Sequence, residues 1–314
     1  MIIRRVDSFD LDKESPFFLS KLLCDSLGTE LNKISVFKSE KDTQPIANLT
    51  YYAYRRMGVD AVITPPMAPH CGLHFYHRTE KKLSRYSDEK RALRAIAEYV
   101  AEKYPSAHID LALPPEIKDI QPFKQVEFKS DVSYTYLLEI GEKTEQDLLS
   151  EMSSERRKNI RDAEKKDYEV RVNSGSEAIV TLVQGTLESN GLKSKSEQLT
   201  HFIKEGKDKV FTVAVFRKDE LQSAAVIALD KSKAYYLAGG TKKETAEAGA
   251  LVLWRAILEA QKHSVKHFDF LGSSNPAIEK FFRGFGGELT PYFRIIADNI
   301  VFDFLRSAKR TLGK

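Results

Sequence analysis

The sequence predicts a mixed α/β protein of two similarly built halves, each a mixed, mostly antiparallel central sheet flanked by helices. Three observations lead there. The chain has 314 residues, about two domains at the usual size of roughly 150 residues each. Short runs rich in Val, Ile, Thr and Tyr alternate with longer runs at helical spacing, in an order that the second half repeats. No GxGxxG or GxxxxGK(S/T) follows a predicted strand. An antiparallel meander followed by helix, strand and helix also departs from the regular alternation of doubly wound folds.

Composition narrows the class. A hydrophobic fraction of 42% with 30% charged residues suits a globular chain with real cores. The net charge of +4 admits an anionic ligand without requiring nucleic acid, because Lys and Arg are interspersed with Asp and Glu. Arg4, Arg5, Asp7, Asp10 and Asp12 crowd the start, so no signal peptide is expected. No apolar run approaches the roughly 20 residues of a membrane span. Cys24 and Cys71 do not make a disulfide framework, and a reducing, cytoplasmic setting is expected.

In the first half, strands are predicted at Lys33–Lys38, Pro45–Arg55 and Asp60–Thr64. A helix follows over Asp88–Tyr104, with Leu93, Ile96, Ala97 and Val100 at helical spacing. Ile109–Leu113 is a buried strand stopped by Pro114 and Pro115, Ile117–Val126 a turn and short helix, and Ser133–Ile140 another strand. In the second half, Thr144–Lys166 is predicted helical, with Ser153 or Ser154 as an N-cap. Strand Glu169–Asn173 and helices Ser176–Ser189 and Ser196–Glu205 lead to strands Val210–Arg217, Leu221–Asp230 and Ala234–Ala238, joined by hairpin-length polar breaks. Helix Ala246–His263, strand His267–Leu271, helix Pro276–Phe285 and strands at Glu288–Leu289 and Phe293–Ile296 complete the order. The boundary is placed near 128–143, giving domains 1–135 and 136–314.

Three segments carry a family resemblance. Tyr235-Tyr236-Leu237-Ala238-Gly239-Gly240, a polar loop, and the helix through Gly249-Ala250-Leu251-Val252-Leu253-Trp254 resemble the core of the GNAT acyltransferases. The resemblance implies a helix start whose orphan N–H groups hold a pyrophosphate. Gly239, Gly240, Thr241, Gly249 and Ala250 are then the cofactor-binding residues, with Lys242 and Lys243 adding charge. Of the family signature Gln/Arg-x-x-Gly-x-Gly/Ala only the tail, Gly249-Ala250, is present.

His267 to Pro276, continuing to Phe281-Phe282-Arg283-Gly284-Phe285-Gly286-Gly287, is similar to the strand, helix and Gly-Gly return of FemAB-like and related tandem GNAT proteins. Asn275 and Gly286 keep the family register, and Phe282 stands where many GNAT enzymes place a tyrosine acid. Phenylalanine cannot donate a proton, so no catalytic residue is assigned. The helix Glu155-Arg156-Arg157-Lys158-Asn159-Ile160-Arg161-Asp162-Ala163 resembles one that opens the second domain of FemAB-like chains. Arg157, Lys158 and Arg161, with Asn275 and Arg283, are therefore the expected substrate contacts. The first half is similar mainly in strand order and in Ile63-Thr64-Pro65-Pro66 before Gly72.

Each segment also has a plainer reading. The basic helix is either a solvated face with internal ion pairs or a phosphate-holding face. Gly239 to Ala250 is either a simple strand-to-helix turn or an anion cradle. Arg283 faces a cleft or covers apolar surface. His70, Cys71, His74 and His77 cluster without known zinc spacings, so no metal is expected. Trp254 with Leu251, Ile257 and Leu258 reads as core. The tail Ile300–Leu305 with Arg306, Lys309, Arg310 and Lys314 docks on the protein or meets an anionic membrane surface.

The resemblance implies an acyltransferase that moves an acyl or aminoacyl group from acyl-CoA or aminoacyl-tRNA to an amine of a cell-envelope or polysaccharide precursor, a small or nucleotide-linked molecule. The alternative is a non-catalytic binding protein that keeps the fold, and a nucleic-acid-binding regulator is a distant third.

Overall fold

The structure, a computed structural model, describes residues 1–6, 31–56, 58–189, 196–272 and 275–299. Cys24 and the predicted tail from 300 lie outside the described residues. The chain divides into two compact units. One comprises the described residues up to 133 together with 291–299, and the other residues 134–290.

In the first unit, β1 (Ile2–Arg5), β2 (Asn32–Phe37), β3 (Ala47–Arg56) and β4 (Val59–Ile63) form an antiparallel meander. The two-residue β5 (His74–Phe75) pairs with the start of β3. Helix α1 (Lys82–Lys103) buries Ala92, Leu93, Ile96, Ala97 and Val100, the stripe its spacing predicts. It begins six residues before the expected start, where Leu83 is 79% exposed and leaves no amphipathic signal. Strand β6 (His108–Ala112) returns parallel to β4, and the short helix α2 (Gln121–Lys124) follows. Ile34, Leu49, Tyr51, Val62, Leu93, Ile96, Leu111 and Phe123 make up much of the core.

The second unit starts in the course of β7 (Lys129–Glu139). Helix α3 (Glu145–Glu151) opens with a capping box between Thr144 and Asp147, and α4 (Ser154–Glu164) with Ser153 accepting from the Arg156 N–H. The single helix predicted over Thr144–Lys166 is thus two. Met152 and Ser153 are extended, because a serine N-cap requires non-helical backbone and restarts the ladder. Strand β8 (Glu169–Val172) and helices α5 (Ser176–Ser189) and α6 (Ser196–Glu205) precede β9 (Val210–Arg217), β10 (Glu220–Leu229) and β11 (Lys233–Thr241).

Helix α7 (Ala246–Gln261), strand β12 (His267–Asp269) and helix α8 (Pro276–Arg283) come next. Within this unit the strand order is β7-β12-β11-β10-β9-β8, antiparallel except for β11 with β12. Trp254, Leu251 and Ile257 of α7 pack into its core, as expected.

The two short closing strands expected near the end are one strand, β13 (Glu288–Ala297). Its residues Arg294 to Ala297 pair antiparallel with β6 and so belong to the first unit. Arg294 grips Asp110 there through both Nε and Nη2, and this pairing raises the guanidinium pKa.

Candidate functional site

Strand β11 sets the geometry of the second unit. It lies between β10 and β12, yet its pairing with β12 lasts only three residues, Lys233 to Tyr235 against His267 to Asp269. Beyond Tyr235 its pairing among the described residues continues with β10 alone, as far as Thr241. A bulge falls at the same place. The register steps from Val226↔Ala238 to Ile227↔Tyr236, leaving Leu237 as the extra residue, and a bulge of this kind bends a strand and increases its local twist. Tyr236, Leu237, Ala238 and Gly239 are half-buried, whereas β10 from Gln222 to Asp230's predecessor Leu229 is wholly buried. From Tyr236 onward, one edge of this interior strand therefore has no strand partner among the described residues.

The residues expected to bind a cofactor gather at the end of this strand. Gly239 and Gly240 continue β11 rather than leaving it for a loop. A Cβ on Gly239 would stand 1.8 Å from the Tyr236 hydroxyl, and one on Gly240 would stand 2.8 Å from the Leu182 carbonyl of α5. Thr241 shares a 2.8 Å hydrogen bond with Ser223. Its Oγ1 lies 2.9 Å from the Cβ position of Gly249, so the strand end and the first turn of α7 touch. Gly249 and Ala250 are buried.

The start of α7 is open. Thr245 occupies the N-cap position but caps no helix N–H, its hydroxyl donating instead to the Lys242 carbonyl at 3.2 Å, and Glu244 and Ala246 are exposed. The charge there is mixed. Glu247 in the first turn accepts from Lys166 Nζ at 2.6 Å and from Tyr168 Oη at 2.8 Å, interactions that hold its carboxyl below the usual range. Burial, and then this hydrogen bond, push the Tyr168 phenol up to about 12. Lys242 is turned to Glu220 at 2.5 Å.

The five expected substrate contacts sit elsewhere in the unit, and all but Lys158 have partners among the described residues. Arg157 Nη1 donates to the carbonyls of Met152 at 2.5 Å, Ser150 at 3.3 Å and Leu149 at 3.4 Å, satisfying the end of α3. Lys158 and Arg161 are exposed, with Arg161 Nε reaching the Arg157 carbonyl at 3.4 Å. Asn275 is the N-cap of α8, accepting from the Ala277 N–H at 2.9 Å. Arg283 is exposed and bonds Glu279 at 3.0 Å, and the same carboxylate oxygen accepts from the Tyr136 hydroxyl.

Helix spacing did not single out Arg156 or Tyr236. Arg156 is 6% exposed and lies on the buried stripe with Ile160 and Ala163. Its guanidinium is 4.6 Å from the Phe281 ring centroid. Tyr236 follows the last paired residue of β11 with β12, and its ring meets Phe282 edge-on at 5.5 Å. Phe282 is buried and also packs on Phe270 and Phe281.

In the first unit, His70 packs against Tyr292 and His74 against Tyr76, while His77 faces Glu89 at 3.5 Å. Among the described residues no group of three His, Cys, Asp or Glu side chains is placed to hold a metal. No helix among them is long and apolar enough to cross a membrane.

No protein family matches the sequence, and no curated protein does either. Solved structures do. FemX superposes with a TM-score of 0.68 at 14% identity, covering 96% of this chain and 99% of its own. The C-terminal domain of a putative lysylphosphatidylglycerol synthetase from Agrobacterium fabrum gives 0.55 at 10% identity, over 88% of each chain. L-PGS from Bacillus licheniformis gives 0.50 at 10%, over 82% of each. At such identities the likeness is one of architecture alone: the chain shares the mixed α/β fold of FemX.

Proposed function

We propose that the protein is an acyltransferase, moving an acyl or aminoacyl group from a CoA- or tRNA-linked donor to an amine of a cell-envelope or polysaccharide precursor. The observation that carries this reading is the parting of β11 from β12 after Tyr235. An unpaired edge inside a domain is a ready acceptor for an extended, amide-bearing arm, which can add to the sheet as a strand would. The open start of α7, beside the strand end, then faces the phosphates of the same donor. Gly239, Gly240, Thr241, Gly249 and Ala250 form that end of the site, and Lys158 and Arg161 are exposed cations available to an anionic precursor. The name of one similar structure, a putative lysylphosphatidylglycerol synthetase, suits a donor carrying an amino acid and an acceptor from the envelope. The cytoplasm is the compartment that suits such donors.

Transfer between a bound ester or thioester and a bound amine gains most of its rate from orientation, so the site needs few reactive side chains. A second reading, a protein that binds without transferring, is favoured by Phe282 and by the Glu247 carboxylate at the helix start. Thermal-shift measurements with acetyl-CoA, alanyl-tRNA and a nucleotide-linked sugar-peptide, followed by mass spectrometry of mixed donor and acceptor, separate the two. Stabilisation with product supports transfer, and stabilisation without product supports binding alone. No stabilisation by any of the three sinks both.

A further inference from the structure

Most of the buried or half-buried tyrosines near the two cores have a partner for their hydroxyl. Tyr51 pairs with Tyr104 at 3.1 Å, Tyr168 bonds Glu247 at 2.8 Å, and Tyr136 bonds Glu279. Tyr236 differs. Its ring is fixed edge-on against Phe282, but among the described residues its hydroxyl makes no hydrogen bond. That hydroxyl folds back over Gly239, so close that a Cβ there would overlap it at 1.8 Å. It thus stands on the half-buried stretch of β11 whose edge is unpaired. The hydroxyl is thus left available to a ligand on this stretch of β11, and the glycine beneath it gives it room.

We infer that the Tyr236 hydroxyl donates a hydrogen bond to the carbonyl oxygen of the acyl group lying along β11, and holds the oxyanion formed when the amine attacks. The inference rests on the transferase reading above and adds a residue to it. In the step, the amine lone pair forms the C–N bond while the carbonyl π pair moves onto oxygen, beside the phenol O–H. That pair then re-forms the carbonyl as the bond to the carrier sulfur or oxygen breaks, and the proton lost by nitrogen ends on the carrier. The phenol keeps its own proton throughout. Burial raises the Tyr236 pKa well above the ordinary phenol value, which suits a donor that is never required to ionise. A donor aimed at the position where charge develops is worth most in such a partly dry site.

The test compares carriers with and without the acyl group, by titration calorimetry on the parent protein and on Tyr236→Phe, which keeps the ring and its contact with Phe282. The pairs are acetyl-CoA with CoA, and the 3′-alanylamido analogue of adenosine with 3′-aminoadenosine. In Tyr236→Phe the acyl-bearing member of the pair that binds should lose about two- to ten-fold in affinity, with the bare carrier unchanged and the same thermal midpoint. Equal loss for both members, or no loss, would overturn the role of Tyr236 and leave the donor site standing. If neither acyl-bearing probe binds the parent protein, the transferase reading fails and this inference with it.

Discussion

The α carbon of Gly284 rests against the side chain of Arg156, so that a Cβ there would lie 2.8 Å from Cγ and 3.0 Å from Nε. The arginine has little room to yield, being sandwiched between this glycine and the Phe281 ring. Gly284→Ala should therefore overpack the junction of α4 with α8 and lower stability by about 1–3 kcal/mol. A fall in urea midpoint at unchanged slope is the expected reading. A midpoint equal to the parent's would show that the arm moves aside freely.

Arg157 and Arg161 should separate. Arg157→Ala removes the donor shared by three carbonyls at the end of α3 and should cost about 1–2 kcal/mol. Arg161→Ala should change stability by no more than about 0.5 kcal/mol and, if the exposed face meets an anionic precursor, should weaken its binding in a salt-dependent way. Equal thermal midpoints for both variants would remove the structural role given to Arg157.

Cys71 is buried, and burial pushes its thiol up to about 12. In a Cys24→Ser protein it should stay unmodified by a thiol reagent near neutral pH and react with one equivalent once unfolded in urea. The linkage sign follows from the same shift. Stability from keeping the thiol neutral is complete below the unfolded thiol pKa and is lost as pH rises from there through the folded value. Rapid labelling of the native protein would contradict the buried position.

Glu247 has the opposite sign. Its carboxyl is held below the ordinary value, first by Lys166, so its contribution is present above that value and disappears as pH falls through the folded one. Glu247→Gln should flatten the acid side of the stability profile. With one negative charge fewer at the start of α7, it should also bind CoA more tightly, as calorimetry would read. Weaker CoA binding would argue against phosphate at that helix start.

Much of the second unit was legible because its elements are amphipathic and their caps local. The stripe Leu251, Trp254, Ile257 and the hairpins between β9, β10 and β11 have short-range signals. The parting of β11 from β12 has none. It depends on where two strands far apart in sequence stop pairing, and the bulge at Leu237 inverts the inside-outside alternation on which a strand reading relies. The burial of Arg156 was illegible for a related reason. Charge marks a residue as available, whereas a long aliphatic arm allows Arg156 to be buried against Phe281 and leaves Arg157 to cap a neighbouring helix. The tyrosine at 236 was visible in the sequence, but its relation to Gly239 was not.

The last strand has a consequence for biosynthesis. Chains usually fold from the N-terminus as they emerge from the ribosome. Here the second unit has its described strands β8 to β12 in hand before Arg294 to Ala297 are made, while β6 waits for those residues to cover its edge. Maturation thus runs against the direction of translation. Until Arg294 to Ala297 emerge, the nascent protein carries an unsheathed strand edge, the kind of template that invites mispairing with another chain.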